Sequence, residues 1–261
     1  MKEYNKIGLN YNINRSPDER ILNRLIELLN TDSNSQICDI GAGTGNYTNE
    51  IANKGFIVDA FEPSEQMIKQ AVPNGKVTWH QLGAEQITDT NKYDGAISTL
   101  AIHHFTDIDK SLSNISNCLK SNGNFVLFCA DPREIDNDCW FKSYFAEIIQ
   151  KAKSSYVPLD ELTKKIKQEF GKAPAVEAFH IPHDITDGFF YAGWRTPEKY
   201  VDESFRKSIS VFAKAPQNLI EKAVSKLKKD LDSGEWDSNF GHVRKATTYN
   251  GGYYFLKVEK S

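Results

Sequence analysis

The sequence has few cysteines, few methionines, no long apolar run and no large excess of either charge. Its 261 residues include four cysteines and two methionines, and 32 basic residues stand against 35 acidic ones, which gives a net charge of −3. No apolar run approaches membrane-spanning length, so we expect no membrane association. Acidic and basic residues are interspersed, whereas a nucleic-acid groove would leave a basic stripe. We therefore expect an ordinary globular protein without a nucleic-acid partner.

The four cysteines lie far apart along the chain, at Cys38, Cys118, Cys129 and Cys139. They show neither close pairing nor the spacing of metal ligands, so we expect free thiols, a reducing compartment and no metal. The first residues, Met-Lys-Glu-Tyr-Asn-Lys, lack the apolar segment of a secretory signal. Both observations predict a cytoplasmic protein.

The most informative feature that is present is the segment from Gln36 to Asn46, which reads Gln-Ile-Cys-Asp-Ile-Gly-Ala-Gly-Thr-Gly-Asn. A short apolar run is followed by three glycines at every second position, Gly41, Gly43 and Gly45. A buried strand followed by glycines that open a helix brings the backbone close to a nucleotide-like ligand. The segment therefore predicts a ligand site at the end of the first strand.

Two carboxylates flank this glycine loop in the sequence. Glu62 ends a second apolar run, residues 56–61, seventeen residues after Gly45. A carboxylate in this position binds ribose hydroxyls, which predicts an adenosine-containing cofactor. Asp39 precedes the loop, and we expect it to order the loop by accepting backbone N–H hydrogen bonds rather than to touch the ligand.

The glycine spacing distinguishes between adenosine cofactors. A dinucleotide fingerprint requires Gly-x-Gly-x-x-Gly or Ala. Counting from Gly41, the sixth position is Asn46, and the third glycine comes one residue early at Gly45. We therefore disfavour a nicotinamide dehydrogenase. The run Asp-Ile-Gly-Ala-Gly-Thr-Gly instead resembles motif I of the class I S-adenosylmethionine (SAM) dependent methyltransferases.

Four further segments resemble motifs of this family and follow the family's order. Residues 62–67 resemble the acidic motif after motif I, and residues 83–85 resemble the loop that contacts adenine, although the family often has Asp where this chain has Gly83. Residues 93–100 resemble the fourth strand, and residues 119–129 resemble the turn into the fifth. The resemblance implies SAM as cofactor and methyl transfer as the reaction. It implies that the cofactor is bound by Gly41, Ala42, Gly43, Glu62, Pro63, Met67, Ala84, Glu85, Thr99 and Leu100.

Strands and helices alternate over residues 36–130, which predicts a parallel, doubly wound sheet. With further strands at 175–181 and 252–258, we expect an α/β fold with a mostly parallel, seven-stranded, Rossmann-like sheet. Residues 131–158 and 184–217 are rich in aromatic side chains and are expected to form a helical lid insertion. The chain, residues 1–261, is predicted to be one domain with its core at 16–130, 159–183 and 218–261.

The residues before the first helix are candidates for the methionine end of the cofactor. Ser16 as N-cap and Pro17 as the first helical residue predict that the helix opens there. Arg15 and Tyr11 precede it and could bind the cofactor carboxylate, because Arg offers a bidentate fork and Tyr a single donor. The alternative is an arm that carries surface polar residues.

His103 and His104 follow the fourth strand, where the transferred methyl group would lie. A histidine of near-neutral pKa can take a proton from an acceptor hydroxyl or amine, so both are candidate catalytic residues. The alternative is that they pack under the loop as structural residues. Methyl transfer from a sulfonium is already activated, so positioning without a base is a third interpretation.

The acceptor pocket is predicted from the second unusual stretch of the sequence. His180, His183, Tyr191, Trp194 and Arg195 combine imidazoles, aromatic rings and one guanidinium that could anchor a carboxylate. Residues three apart on a strand point to opposite faces, which disfavours a metal site at the two histidines. The alternative for the aromatic residues is a core between lid and sheet.

Together these patterns predict a SAM-dependent methyltransferase that acts on an O, N or C atom of a small molecule. Two alternatives stay open: an enzyme that uses SAM for other chemistry, such as cyclisation or lysis of the cofactor, and a SAM-binding module without catalysis. The expected partner is a small-molecule acceptor, and the chain is expected to be a monomer or a weak homodimer.

Overall fold

The computed structural model describes residues 15–135 and 140–261, and these form a seven-stranded sheet with helices on both faces. The strand order is β3-β2-β1-β4-β5-β7-β6, and β7 runs antiparallel to both of its neighbours. The strands are β1 Gln36–Ile40, β2 Ile57–Phe61, β3 Val77–His80, β4 Tyr93–Thr99, β5 Leu119–Ala130, β6 Ala175–Pro182 and β7 Thr248–Glu259. The predicted α/β, mostly parallel sheet is confirmed. Tyr11 and Cys139 lie outside the described residues.

The helices alternate with the first five strands and then accumulate in the second half of the chain. They are α1 Glu19–Leu29, α2 Asn46–Asn53, α3 Glu65–Ile68, α4 Ile108–Cys118, α5 Trp140–Lys153, α6 Leu159–Phe170, α7 Glu203–Lys207, α8 Ser210–Lys214, α9 Gln217–Asp232 and α10 Glu235–Phe240. No helix in residues 15–135 or 140–261 is long and apolar enough to cross a membrane.

Each central strand contributes to an apolar core on both faces of the sheet. In β1, Ile37 belongs to one buried cluster, whereas Cys38 and Ile40 belong to the other. Side chains alternate between the two faces of a strand, so a strand covered on both faces is apolar at nearly every position. This explains why the strands appear in the sequence as continuous apolar runs.

The first helix begins later than the sequence predicted. Asp18, rather than Ser16, is the N-cap, and its carboxylate accepts the backbone N–H of Arg20 at 3.0 Å. The Arg20 guanidinium also donates to Asp18, at 2.8 Å from Nε. A carboxylate that accepts both backbone and side-chain donors is a stronger cap than the serine hydroxyl, so the helix starts at Glu19.

The aromatic residues after β5 pack mainly into the core. Trp140 and Phe141 of α5 are fully buried and lie in ring contact with each other and with Tyr200. Phe190 and Phe212 extend the same cluster, which also contains sheet residues. This packing fixes the segment around 187–214 over the carboxyl end of the sheet.

The chain reverses direction across the sheet between β1 and β4. From β1 it continues outward through β2 and β3, and it then returns to β4 on the opposite side of β1. The loops after β1 and β4 therefore diverge and leave a crevice at the carboxyl ends of these strands.

Candidate active site

A cleft of about 1030 Å³ opens at the carboxyl ends of β1, β2 and β4. Small-molecule sites typically measure about 300–1,000 Å³, so the cleft has room for a cofactor and a second molecule. Eleven of the twelve predicted cofactor residues line it: Arg15, Gly41, Ala42, Gly43, Glu62, Pro63, Met67, Ala84, Glu85, Thr99 and Leu100. The twelfth, Tyr11, lies outside the described residues.

The glycine loop has a backbone that only glycine adopts readily. Gly41, Gly43 and Gly45 have φ angles of +75°, +59° and +81°. A β-carbon on Gly41 would lie 2.4 Å from the β-carbon of Ala101, and one on Gly45 would lie 2.7 Å from the ring of Trp79. A β-carbon on Gly43 would meet no atom of the described residues within 4 Å. The backbone of Gly43 therefore faces the open cleft.

Two hydrogen bonds from backbone N–H groups hold the carboxylate of Glu62, which directly follows the carboxyl end of β2. Its Oε2 accepts the N–H of Gly43 and its Oε1 accepts the N–H of Ser64, both at 2.9 Å. Burial raises the pKa of Glu62, and the two hydrogen bonds oppose that shift. Each carboxylate oxygen has two acceptor positions, so each retains one for a ligand hydroxyl.

Asp39 is a buried carboxyl group with one oxygen bonded and one unbonded. Its Oδ2 accepts the hydroxyl of Thr48 at 2.6 Å, whereas Oδ1 is buried and has no hydrogen-bond partner among the described residues. Burial raises the pKa of Asp39 to about 7, although the bond from Thr48 opposes the shift. The carboxyl orders the loop through a side chain of α2, not through backbone N–H groups as the sequence predicted.

Arg15 lies at the cleft in an ion pair with Asp187, at the start of the aromatic stretch 187–200. Its Nε donates to Asp187 at 2.5 Å, and the two residues form an isolated antiparallel bridge. The hydroxyl of Tyr47 donates to the other oxygen of Asp187 at 3.1 Å. Asp187 is 1 % exposed, and these donors compensate its buried charge. Asp187 thus binds both Arg15 and Tyr47 of α2, the helix that follows the glycine loop.

The end of β4 contributes a strained residue and an unbonded hydroxyl. Leu100 has a φ of +52°, which is costly for a bulky side chain and recurs where a fold constrains a functional loop. Its N–H donates to the carbonyl of Phe128 at 2.7 Å. The Oγ1 of Thr99 is buried without a hydrogen-bond partner in the described part of the chain.

Glu85 lines the cleft, but its carboxylate holds the loop after β4. One oxygen accepts the N–H of Thr106 at 2.6 Å, the hydroxyl of Thr106 at 2.9 Å and the N–H of Asp107 at 3.1 Å. Burial alone would raise the pKa of Glu85, yet these hydrogen bonds lower it. Glu85 therefore positions one wall of the cleft.

His103 and His104 lie in a single turn after β4, and both line the cleft. Their ring centroids are 3.8 Å apart, and His103 stacks on Tyr156 at 4.5 Å. Burial, with the charges of Lys214 and Arg15, lowers the pKa of His103 to about 3. Burial also lowers the pKa of His104, as do His103 and Lys214. Both imidazoles are neutral at physiological pH, and so low a pKa makes a weak base.

His180 and His183 lie outside the cleft, contrary to the prediction for the acceptor pocket. Both are exposed on or just after β6, an edge strand that β5 and β7 separate from β4. Across residues 15–135 and 140–261, no group of three or more His, Cys, Asp or Glu side chains is arranged to hold a metal ion.

Tyr191, Trp194 and Arg195 also lie away from the cleft walls, and this part of the prediction is corrected as well. The two rings are 3 % and 0 % exposed because they belong to the aromatic core, which was the alternative for this stretch. The Nε of Arg195 donates to the backbone carbonyl of Arg244. The Phe and Tyr residues that do line the cleft are Tyr47, Phe105, Tyr156, Phe189, Phe190 and Tyr253.

Comparison with known proteins assigns the chain to a family. A family model for a methyltransferase domain matches residues 38–127. A crystal structure from Anabaena variabilis, described as a candidate methyltransferase from an antibiotic biosynthesis pathway, is 38 % identical. The alignment covers 94 % of this chain and 98 % of that one, with a TM-score of 0.90. The chain belongs to the class I SAM-dependent methyltransferases.

More distant proteins agree with this assignment. An uncharacterised methyltransferase from Anoxybacillus flavithermus is 29 % identical over 175 residues, which are 66 % of this chain and 77 % of the relative. A phosphoethanolamine N-methyltransferase from Haemonchus contortus, solved with SAM, shares the fold at 20 % identity and a TM-score of 0.61. The alignment covers 99 % of this chain and 56 % of the Haemonchus chain. Membership of this family, which the 38 % identical structure shows, makes the chain an enzyme whose cofactor is SAM.

Several cleft residues of the methyltransferase were not identified from the sequence. Asp187 opens the aromatic stretch at 187–200, and Tyr47 directly follows the glycine loop, so both had a local signal. Tyr156, Lys214 and Tyr253 had none, because they reach the cleft from distant parts of the chain.

Proposed function

We propose that this methyltransferase transfers the methyl group of SAM to an oxygen, nitrogen or carbon atom of a small molecule. The observation that carries the proposal is the enclosed aromatic end of the cleft. Phe189, Phe190 and Tyr253 line it and are 4 %, 7 % and 4 % exposed. Side chains this buried enclose a compact ligand better than they fit the extended surface of a macromolecule.

The cleft residues that follow β1, β2 and β3 fit the cofactor. The open backbone at Gly43 leaves space for close approach, and the free acceptor positions of Glu62 suit two ribose hydroxyls. Met67 is 2 % exposed and offers an apolar wall beside Ala84. We assign ribose binding to Glu62 and the apolar wall to the other two.

Asp39 suits the amino group of the cofactor. Its unbonded Oδ1 is a buried acceptor at the cleft. A buried carboxyl of raised pKa gains most from a nearby cation, because the cation favours its charged form. We assign the ammonium of the methionine end to this oxygen, which gives Asp39 a role as ligand in addition to its bond with Thr48.

Catalysis on this proposal depends on positioning. SAM, when bound, supplies a methyl group already activated by a sulfonium. His103 and His104 are neutral and weakly basic, so they orient the acceptor by hydrogen bonding instead of removing its proton. The strained turn at Leu100 fixes the backbone between the cofactor half and this histidine pair.

Two measurements test the proposal. Calorimetry should show binding of S-adenosylhomocysteine, and label from methyl-labelled SAM should pass into the low-molecular-weight fraction of a cell extract. Absence of binding would refute the cofactor site. Label found only in protein or nucleic acid would refute the small-molecule acceptor. A product other than S-adenosylhomocysteine, formed from SAM alone, would favour cofactor cyclisation or lysis instead.

Alanine at Gly43 is expected to weaken cofactor binding with little loss of stability. The new β-carbon enters the open cleft, and the positive φ costs about 1 kcal/mol. We expect S-adenosylhomocysteine affinity to fall about tenfold or more, equivalent to about 1.4 kcal/mol. Calorimetry measures the affinity, and Gly234→Ala, which has a φ of +78° and open space at the start of α10, is the matched control. Equal affinities in the two variants would contradict the assignment.

His103 and His104 are expected to stay neutral throughout the physiological range. Burial holds the pKa of His103 near 3, so its proton NMR signal should not move between pH 5 and 8. In the urea-unfolded protein the same imidazoles should titrate near pH 6.5, which is the control. A folded-state transition between pH 5 and 8 would restore the general-base interpretation.

A further inference from the structure

Two pairs of neighbouring rings line the cleft in addition to the residues assigned to the cofactor. The ring of His103 stacks on Tyr156 with centroids 4.5 Å apart, and the ring of Phe189 lies against Tyr253, also at 4.5 Å. All four residues line the cleft. Rings favour offset or edge contacts with other rings, at centroid distances of about 4.5–7 Å. These ring pairs therefore provide surfaces that suit a flat ligand.

Tyr156 and Tyr253 also bring hydroxyl groups that are available as donors. Neither hydroxyl donates a hydrogen bond to another residue within 15–135 and 140–261. Burial raises the pKa of Tyr156 to about 12 and the pKa of Tyr253 well above its usual value, and Arg15 opposes both shifts. Both hydroxyls thus lie near Arg15, itself a cleft residue, and stay protonated at physiological pH. Each can donate one hydrogen bond to a ligand.

The charged groups near these rings are paired or open to solvent. The side chains of Arg15 and Asp187 form an ion pair and are 12 % and 2 % exposed. A charged acceptor would have to break this pair to find a buried partner, and breaking a buried pair is costly. Lys214, which also lines the cleft, is exposed, and an ion pair at an exposed lysine contributes little. The charges therefore favour an uncharged acceptor.

We propose that the methyl acceptor is an uncharged aromatic molecule of the phenol class, and that a hydroxyl oxygen of this molecule accepts hydrogen bonds from Tyr156 and Tyr253. This inference rests on the proposed function, since it names the class of the small molecule. A hydroxyl oxygen has two acceptor positions, so it can use both donors. The two bonds position the acceptor beside the cofactor and do not themselves select the methylated atom.

The test compares matched probes by calorimetry on the protein saturated with S-adenosylhomocysteine, at constant ionic strength. The probes are 4-methylphenol, the anion 4-methylbenzoate, the cation 4-methylbenzylammonium and the saturated alcohol 4-methylcyclohexanol. We expect 4-methylphenol to bind about tenfold more tightly than either ion and about threefold more tightly than the saturated alcohol. Equal or stronger binding of any of the other three, or no saturable binding of 4-methylphenol, would overturn the proposal.

The double variant Tyr156→Phe/Tyr253→Phe keeps both rings and removes both hydroxyls. Its affinity for 4-methylphenol should fall about tenfold. Toluene has no hydroxyl, so it should bind the double variant and the wild type equally. Tyr254→Phe is the matched control, because Tyr254 packs on the opposite face of β7 from Tyr253, and its affinity for 4-methylphenol should equal that of the wild type. An unchanged affinity for 4-methylphenol in the double variant, or an equal loss for toluene, would also overturn the proposal.

Calorimetry with S-adenosylhomocysteine alone, on the same proteins, separates failure of this inference from failure of the proposed function. Intact cofactor binding, label in the low-molecular-weight fraction and no preference for 4-methylphenol would refute the phenol class only. Absence of cofactor binding, or label found only in macromolecules, would refute the proposed function and this inference with it.

Discussion

Alanine at Gly41 is expected to destabilise the protein by about 2–4 kcal/mol. The positive φ costs about 1 kcal/mol, and overpacking adds about 1–3 kcal/mol because the new β-carbon would lie 2.4 Å from that of Ala101. For a chain of this size the melting temperature should fall by roughly 5–15 °C. Thermal and urea unfolding of the purified variant measure the effect.

The chain offers both a control and a rescue for this substitution. Gly171 has a φ of +77° and no atom of the described residues within 4 Å of an added β-carbon. Gly171→Ala should therefore cost only about 1 kcal/mol. Adding Ala101→Gly to Gly41→Ala should restore part of the lost stability, because the clashing methyl group is gone. If Gly41→Ala and Gly171→Ala destabilise equally, the close approach to Ala101 has no energetic effect.

Asparagine at Asp39 is expected to raise stability above neutral pH and to weaken cofactor binding. Burial raises the pKa of Asp39 to about 7, so the folded state resists its ionisation. The wild type therefore loses stability as the pH rises from about 4 to 7, and the loss persists above 7. About three pH units correspond to a penalty on the order of 4 kcal/mol. The neutral amide avoids this penalty, and its oxygen can still accept the hydroxyl of Thr48.

The measurement is the difference in unfolding free energy between Asp39→Asn and wild type across the pH range. It should approach zero near pH 4 and favour the variant by a few kcal/mol at pH 8. Affinity for S-adenosylhomocysteine should rise with pH between 5.5 and 7.5 in the wild type and stay low and flat in the variant. Asp94→Asn is the control, since the hydrogen bond of that carboxylate to Lys120 lowers its pKa. A difference in unfolding free energy that does not change with pH would contradict the raised pKa of Asp39.

The sequence predicted the parts of the fold that local patterns specify. The strand predicted at 175–181 is β6, Ala175–Pro182, and the short apolar run before the glycine loop is β1, Gln36–Ile40. Apolar runs of five residues bounded by polar turns allow few alternatives in an alternating α/β chain. The start of α1 was misplaced by two residues because Asp18 competes with Ser16 for the cap, and its bond to Arg20 decides the outcome.

Side-chain partners were harder to predict than elements. Glu85 has the position of a cofactor residue, yet it binds the loop at Thr106, twenty-one residues away. Trp194 appeared available for an acceptor, yet it stacks on Tyr249 in the core with ring centroids 5.5 Å apart. Neither contact has a sequence signal, because each joins two segments that are distant in the sequence and come together only in the folded protein.

The sequence by itself determined the sheet, the family and the cofactor. These depend on Gly41, Gly43 and Glu62, which stand at the ends of neighbouring strands and reach one edge whenever the strands pair. Only the tertiary structure decided the other end of the cleft, which we propose holds the acceptor. It is assembled from residues 103–104, 156, 187–190, 209–214 and 253, which come together because the aromatic core draws α5, α8 and β7 over the sheet.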